Sequence, residues 1–219
     1  MSPSERLTPL SLAVDIPNGY VGLPLDDIDR SIARTEAAFS HIGPGAVSSA
    51  APAVLQALKV LLTRISQVNA VYCGLGRHAS ANGTLISSNL IVSLHEYSER
   101  KNPRLTLADI LQARSNGTET FKNIELIEIS GRQILMFDRM RTLPAPDLPD
   151  HSSAVLDEKV YQLEAIVPSS DGATIAAIEF STSFVEYGEE FVPMIAAMAA
   201  SVDFAPSVAQ SSMPSSLDL

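Results

Sequence analysis

Four parts of the chain repeat apolar residues every three to four positions, which is the spacing of an amphipathic helix. They cover residues 28–42, 52–66, 106–117 and 189–202. Polar residues that favour helix starts open these segments, and glycine closes two of them. The pattern therefore predicts four helices, of which the one over 106–117 is short.

The second predicted helix carries the widest apolar stripe. Pro52 suits its first turn, where a missing N–H costs no hydrogen bond, and the helix is expected to end near Ser66. Six residues are assigned to one face, which is expected to pack against the rest of the domain: Val54, Leu55, Leu58, Leu61, Leu62 and Ile65.

Short apolar runs, some of which alternate with polar residues, predict the strands. Two come first, at residues 12–16 and 20–25, and Pro24 confines the second to a sheet edge. Six more follow as three hairpins, which pair 68–75 with 84–97, 121–129 with 133–140, and 160–167 with 173–180. Each pair is joined by a segment with a glycine turn signal, such as Ser130-Gly131.

Hairpins imply a mainly antiparallel sheet, and the apolar sides of the helices need a sheet to cover. We therefore predict an α/β protein of the α+β type. Its architecture is expected to be a single α/β/α sandwich, with a sheet of about six strands and helices on both faces.

The ends of the chain and one internal segment differ in composition from the rest. Residues 1–10 are interpreted as a flexible arm, 11–204 as the folded domain and 205–219 as a disordered tail rich in serine and proline. The segment 143–157 holds three prolines and is predicted to be the longest and most mobile loop of the domain.

The charge of the chain narrows its partners. A formal net charge of −10, without a dense basic run, disfavours nucleic acid, which is bound by clustered lysine and arginine. No stretch approaches the ~20 apolar residues of a membrane-spanning helix, so membrane insertion is not expected. The amino terminus lacks the pattern of a secretory signal, and Cys73 is the single cysteine, so a cytoplasmic location is predicted.

No pattern of reactive or metal-binding residues stands out. The four histidines show no metal-ligand spacing, and Gly74 and Gly76 lack the rest of a dinucleotide-binding loop. Cys73 is expected to be a buried, inert thiol. We therefore assign no catalytic residue, no cofactor and no metal, and the interpretation favours a protein that is not an enzyme.

Charged residues near the end of one predicted strand are interpreted as structural. Asp138, Arg139 and Arg141 are expected to pair across the hairpin with Glu125 or Glu128. An alternative interpretation gives the protein a ligand pocket between the sheet and the alanine-rich helices. Its lining would be Tyr72, His95, Tyr97 and Arg139.

The chain resembles a known family in four stretches. The longest is VYQLEAIVPSSDGATIAAIEFSTSFVEYGEEFVPMIAAMAASVDF, and the others are VDIPNGYVGLPLDD, VNAVYCGLGRH and LISSNLIVSLHEYS. Together they resemble actinobacterial cytosolic proteins of the LpqN-like type, which have the PsbP-like α/β/α sandwich fold. The resemblance spans roughly residues 11–203 and implies the same sandwich.

The resemblance implies a binding role, because characterised relatives act by binding proteins and no catalytic motif defines the family. The leading hypothesis is therefore a non-enzymatic protein-binding or adaptor domain that uses a sheet edge or a loop surface. Two alternatives stay open. One is a small-molecule-binding protein or uncharacterised enzyme with the pocket named above, and the other is a self-assembling structural subunit.

Overall fold

The computed structural model describes residues 10–41, 43, 45–97, 100–143 and 157–206. Three predictions fall mostly on other residues: the arm over 1–10, the loop over 143–157 and the tail over 205–219. Only the end residues of these segments are described, so the predicted arm, loop and tail otherwise lie outside the described residues.

The described residues form four helices and nine strands. The helices are α1 (Ile28–Phe39), α2 (Ala46–Gln67), α3 (Pro103–Ser115) and α4 (Val192–Ser201), and a 3-10 helix, Val185–Phe191, leads into α4. The strands are β1 (Leu10–Ala13), β2 (Tyr20–Gly22), β3 (Ala70–Ala79), β4 (Leu85–Glu96), β5 (Asn123–Ile129), β6 (Arg132–Leu143), β7 (Glu158–Pro168), β8 (Thr174–Thr182) and β9 (Asp203–Pro206).

Seven strands form one sheet in the order β2-β3-β4-β8-β7-β6-β5, and β1 pairs with β9 in a separate two-stranded sheet. All of these pairings are antiparallel. The α+β class with a mainly antiparallel sheet is therefore confirmed, although the main sheet has seven strands where about six were expected.

The three predicted hairpins are confirmed as β3–β4, β5–β6 and β7–β8. The turn between β5 and β6 shows why its sequence is diagnostic. Ser130 and Gly131 both have positive φ, at 54° and 77°. Two successive residues of this kind match the twist of a tight hairpin, and glycine adopts the conformation without strain.

Alternate residues of β6 contact different helices. Ile134 and Met136 belong to the largest apolar cluster, which includes Ile195 and Met198 of α4. Leu135 and Phe137 belong to a second cluster with Leu107 and Ile110 of α3. Because successive side chains of a strand point to opposite sides, α4 and α3 define two different sides of this strand. We call them the α4 side and the α3 side.

Helix α2 packs on the other end of the sheet. Leu62 and Ile65 of α2 contact Cys73 of β3, and Ile91 of β4, the cross-strand neighbour of Cys73, packs against the same cluster. Cys73 is buried, and burial raises the pKa of its thiol. The environment is that of a packing residue, not of a nucleophile.

The prediction that six apolar residues of α2 form one packed face is wrong, because only some of these residues are buried. Leu62 is fully buried, whereas Leu61 is 51% exposed and Val54 is also exposed. A helix that lies on one side of a sheet buries only the residues of a narrow arc, so a wider apolar stripe leaves part of itself uncovered. The helix also begins six residues before Pro52, which is therefore not in its first turn.

Several boundaries differ from the predictions for local reasons. Strand β3 continues through both glycines to Ala79, so His78 lies on a strand and not in a loop. Helix α3 begins at Pro103, and the side chain of Asn102 caps it by accepting from the N–H of Arg104. Thr106 is thus inside the helix, where its hydroxyl donates to the carbonyl of Gly172.

The beginning of the predicted tail is ordered. Strand β9 pairs with β1 from Asp203 to Pro206, so it extends past the predicted domain end at residue 204. Leu12 and Phe204, which face each other in this pair, pack against the α4 cluster. This contact with the core explains why a serine- and proline-rich segment begins with a strand.

Candidate binding edge and acidic cavity

Strand β5 forms one outer edge of the main sheet. Its register with β6 is unbroken from Asn123 to Ile129. Among the described residues, β5 makes its ladder bonds with β6 alone, which leaves the N–H and C=O groups of the other side free. Leu126 is 54% exposed and Ile124 is also exposed, so apolar side chains flank the free backbone.

The opposite edge of the sheet is built differently. Strand β2 has only three residues, Tyr20–Gly22, and lies between Pro17 and Pro24. Short edge strands and nearby prolines are common means of preventing a further strand from pairing. Strand β5 has seven residues and contains neither proline nor lysine, so it is the edge that can accept another strand.

An acidic cavity of about 270 Å³ lies next to β5 on the α4 side. Strands β5, β6 and β7 supply its floor, and the 3-10 helix and α4 supply its upper wall. Its lining residues are Asn123, Glu125, Met136, Phe137, Asp138, Tyr161, Leu163, Glu189 and Val192. Three carboxyl groups and three aliphatic side chains thus share one small space.

Asp138 is the most unusual member of this lining. It is only 5% exposed, and it follows Ile134 and Met136 on the apolar side of β6. Its Oδ2 accepts a hydrogen bond from the hydroxyl of Tyr161 at 3.2 Å. Its Oδ1 is buried and has no hydrogen-bond partner among the described residues. Most buried polar atoms are paired, so this covered oxygen is an unusual acceptor that lacks a donor.

Tyr161 holds Asp138 in place as a hydrogen-bond donor. Burial, and next the negative charge of Asp138, raise the pKa of the Tyr161 hydroxyl, which keeps its proton at neutral pH. The ring of Tyr161 lies directly against Gly188 of the 3-10 helix, where an added Cβ would come within 2.3 Å of ring carbons. Glycine at position 188 therefore makes room for the ring that forms the cavity floor.

One cation lies at the rim of the cavity. The ammonium of Lys122 forms an ion pair with Glu189, which is the main cause that raises the pKa of Lys122. The backbone N–H of Lys122 also donates to the carbonyl of Asp138 at 2.8 Å. Three carboxylates in the lining against this single ammonium leave the cavity with a net negative charge.

The predicted pairing of the charged residues on β6 is wrong in its partners. Arg139 forms an ion pair with Glu119 at 2.5 Å and donates to Gln162 at 2.8 Å, and neither partner is Glu125 or Glu128. Asp138 points to the other side of the strand, toward Tyr161. The prediction treated two adjacent strand residues as one charged group, although they face opposite sides.

The four residues of the predicted pocket lie in different surroundings. Tyr72 packs against the α4 cluster, whereas Tyr97 packs against the α3 cluster. Arg139 covers the ring of Phe121, which also packs against the α3 cluster, and Nε2 of His95 bonds the hydroxyl of Ser93. The structure thus brings Tyr97 and Arg139 to one cluster and places Tyr72 at another.

A network of charged side chains surrounds the buried Glu164 on the α3 side. Arg114 of α3 bonds Glu164 at 2.9 Å and Glu119 at 3.2 Å. Glu179 lies directly opposite Glu164 on the neighbouring strand. Burial raises the pKa of Glu164, and the nearby charge of Glu179 adds to this effect while Arg114 opposes it.

The substitution Glu164→Gln is expected to stabilise the protein near neutral pH. The folded state binds the Glu164 proton more tightly than the unfolded chain does, so ionisation of Glu164 reduces stability. This penalty appears as the pH rises above about 4.5, the ordinary value of the group, and is complete above its raised pKa. Unfolding by urea at a series of pH values should show a gain for the variant that grows over this range and is absent at pH 3.

A control with the opposite sign lies in the same network. At Glu119, burial is the largest single effect and raises the pKa of the carboxyl, but the contacts with Arg139 and Arg114 together outweigh it, so the pKa is lowered. Its ionised form therefore supports folding above the ordinary pKa. Relative to the wild type, Glu119→Gln should therefore become less stable as the pH rises. A change of stability in the same direction for Glu119→Gln and Glu164→Gln would contradict this description of the network.

A larger cavity of about 360 Å³ lies at the amino-terminal end of α3. Its lining includes Arg104, Arg132 and the serines at 169 and 170. Arg132 is engaged, because its guanidinium donates to the carbonyl of Val202. None of the four residues of the predicted pocket lines this cavity or the acidic one.

The sequence pattern of β6 indicates that Asp138 is a buried charge. Ile134, Met136 and Asp138 alternate with Leu135 and Phe137, and both sets are buried. A strand that is apolar on both sides lies inside a sheet, so the one carboxylate that continues such a pattern is a buried charge. The partner Tyr161 and the rim residue Glu189 are far away in sequence and could not be identified in this way.

The described residues contain neither a metal-binding cluster nor a membrane-spanning helix. They hold no cluster of three or more histidine, cysteine, aspartate or glutamate side chains that could bind a metal ion. None of the helices in the described ranges combines the length and apolarity that crossing a bilayer requires. A comparison of the sequence with protein-family models and with curated proteins gives no match.

Proposed function

We propose that this protein binds another protein by accepting an extended segment of its partner as an additional strand beside β5. The observation that carries the proposal is the free, seven-residue edge of β5, with Leu126 and Ile124 exposed beside it. Backbone hydrogen bonds along such an edge supply affinity, and contacts with alternate side chains supply specificity.

Charge indicates what kind of segment fits. Strand β5 carries Glu125 and Glu128, Glu189 lies at the rim of the adjoining cavity, and the whole chain has a net charge of −10. A segment with lysine or arginine is attracted to this edge, whereas a second copy of the acidic chain is repelled. The partner is therefore a different protein that presents an extended, basic segment.

Two earlier predictions support this role without deciding it. The resemblance to PsbP-like proteins implies a binding function, because characterised relatives act by binding proteins. A cytoplasmic setting is also part of the proposal. Both remain predictions, and so does the absence of enzymatic activity.

Affinity capture from the native cell with three baits tests the proposal. The wild-type chain and Val21→Lys on the β2 edge should retain one stoichiometric partner, and Leu126→Lys on the β5 edge should lose at least about nine-tenths of it. Lysine on an edge strand opposes strand pairing and repels a basic segment. The two variants carry the same change of charge, so they differ only in the edge that is altered.

Two results would count against strand addition at β5. One is a partner that all three baits retain equally, which would place its contact elsewhere. The other is repeated failure of the wild-type bait to recover any stoichiometric protein.

Binding of a small molecule is a second candidate function, favoured by the 360 Å³ cavity at the start of α3. Its volume lies within the usual range for ligand sites, and arginine and serine side chains converge on it. Thermal unfolding in the presence of small carboxylates and phosphates tests this candidate. A rise in melting temperature that Arg104→Gln abolishes would support it.

Self-assembly is a third candidate, favoured by the uncovered side of α2. Val47, Val54 and Leu61 of α2 are exposed at intervals of seven residues, and the exposed Val68, which follows the helix, continues the series. A single position of a heptad repeat has this spacing, and apolar residues at such a position can contact a second helix. Sizing chromatography over a range of concentrations, with Leu61→Lys as the variant, would show whether copies associate through these residues.

A further inference from the structure

We propose that the acidic cavity beside β5 is a binding site for a primary alkylammonium group. The ammonium would lie next to Asp138, and the alkyl stem would lie among Met136, Leu163 and Val192. The inference depends on the cavity alone and does not require strand addition at β5.

The unpartnered oxygen of Asp138 is the first reason. A buried carboxylate needs donors for its oxygens, because an unpaired charge away from water is costly. Tyr161 satisfies Oδ2, and among the described residues nothing satisfies Oδ1. A cationic N–H donor supplies both the missing hydrogen bond and the missing charge.

The charges around Asp138 are the second reason. Glu125 and Glu189 line the same cavity, no lysine or arginine is among its described lining residues, and Lys122 pairs with Glu189 beside it. The ion pair between Lys122 and Glu189 shows that the rim already accepts an ammonium group. A second positive charge would be attracted to the two remaining carboxylates.

The hydrogen bonds of Asp138 and the apolar lining of the cavity favour an ammonium group over a guanidinium group. An ammonium group is a point charge with three donors, whereas a guanidinium uses two parallel bonds to both oxygens of one carboxylate. Tyr161 already donates to one oxygen of Asp138, so a guanidinium would have to share that oxygen, whereas an ammonium needs only the unpaired one. The aliphatic side chains in the lining suit an alkyl stem, and about 270 Å³ is enough for a short one.

The experiment is a two-dimensional NMR titration of the full chain with n-butylammonium, and with 1-butanol as the neutral control. The amine should produce saturable shifts in residues 123–125, 136–138, 161–163 and 189–192, with a Kd in roughly the millimolar range. The alcohol at equal concentration should leave these amides unshifted. Shifts of equal size with both compounds, or shifts elsewhere, would overturn the proposal.

Two variants locate the ammonium within the cavity. Asp138→Asn should weaken binding at least about tenfold, because a hydrogen bond to a charged group is lost with the charge. Glu125→Gln keeps Asp138 in place and should weaken binding by a smaller factor, which guards against an Asp138 variant that does not fold. Glu96→Gln, an exposed carboxyl on β4, is the control and should leave the affinity unchanged.

Unchanged affinity in both Asp138→Asn and Glu125→Gln would overturn the site.

The ammonium group could belong to a lysine side chain of a partner protein or to a small free amine. Titrations with two peptides distinguish these sources. The probes are the capped pentapeptide Thr-Val-Lys-Val-Thr and its analogue with norleucine in place of lysine. Competition with n-butylammonium by the lysine peptide alone, together with shifts along β5, would assign the site to a lysine side chain on an added strand. Binding of the free amine without the peptide would assign it to a small amine, so the site would stand although strand addition had failed.

Discussion

The substitution Leu62→Ala is expected to lower the free energy of unfolding by about 2–5 kcal/mol. Leu62 is fully buried where α2 meets β3, and it shares a cluster with Ile65 and Cys73. Removal of its isobutyl group takes apolar surface out of the core and leaves a cavity that the helix and the sheet can close only in part. Urea unfolding monitored by circular dichroism provides the measurement.

The next residue along α2 is the matched control. Leu61 is 51% exposed, and alanine favours a helix at least as well as leucine does. Leu61→Ala is therefore expected to change the free energy of unfolding by no more than about 0.5 kcal/mol. Equal losses at the two positions would mean that the whole apolar stripe is covered, contrary to the packing described above.

The substitution Gly188→Ala is expected to destabilise the protein by about 1–3 kcal/mol, which is the usual range for an overpacked core. Its Cβ would come within 2.3 Å of two carbons of the Tyr161 ring. The ring is fully buried and lines the acidic cavity, so it has to shift to accommodate the added methyl group. The same displacement would disturb the hydrogen bond from Tyr161 to Asp138, so alkylammonium binding should weaken as well.

Gly43→Ala controls for the loss of a glycine as such. An added Cβ at position 43 meets no atom of the described residues within 4 Å, so the expected change is within about 0.5 kcal/mol. Thermal unfolding of the two variants beside the wild type should separate them clearly. A Gly188→Ala protein as stable as the wild type would contradict the close packing of Tyr161 under the 3-10 helix.

Local patterns were sufficient to predict the four helices and the three hairpins, but not β9 or the 3-10 helix. Ser130 and Gly131 adopt the backbone conformation that their types favour, so the hairpin between β5 and β6 was readable in the sequence. The predicted final helix is confirmed as α4, which begins at Val192, and Pro193 lies in its first turn, where proline is tolerated. In both cases the determining contacts lie within a few residues of one another.

The order of the strands and the burial of α2 depend on tertiary contacts and could not be predicted from local patterns. The insertion of β8 between β4 and β7 follows from the long-range pairing of Leu90 with Phe180, and no local pattern encodes it. The angle between α2 and β3 decides which residues of α2 are buried, and the periodicity of the helix does not specify this angle. The partial burial of the predicted stripe is therefore a property of packing.

The candidate site was harder to predict than the fold. Glu125 and Asp138 were both singled out in the sequence, but as members of a set of charged residues that pairs across the hairpin. The cavity that they line is completed by Tyr161 and Glu189, which come from separate elements. Only the order of strands β5-β6-β7 brings these residues together.

Amide hydrogen exchange of the free chain and of its complex with the captured partner tests strand addition at β5 most directly. In the free chain, the amides of β5 that point away from β6 should exchange rapidly, because among the described residues nothing bonds them. In the complex, these amides should slow by at least about tenfold, while those of β2 stay unchanged. Protection of β2, or of α2 alone, with no change along β5, would contradict the account.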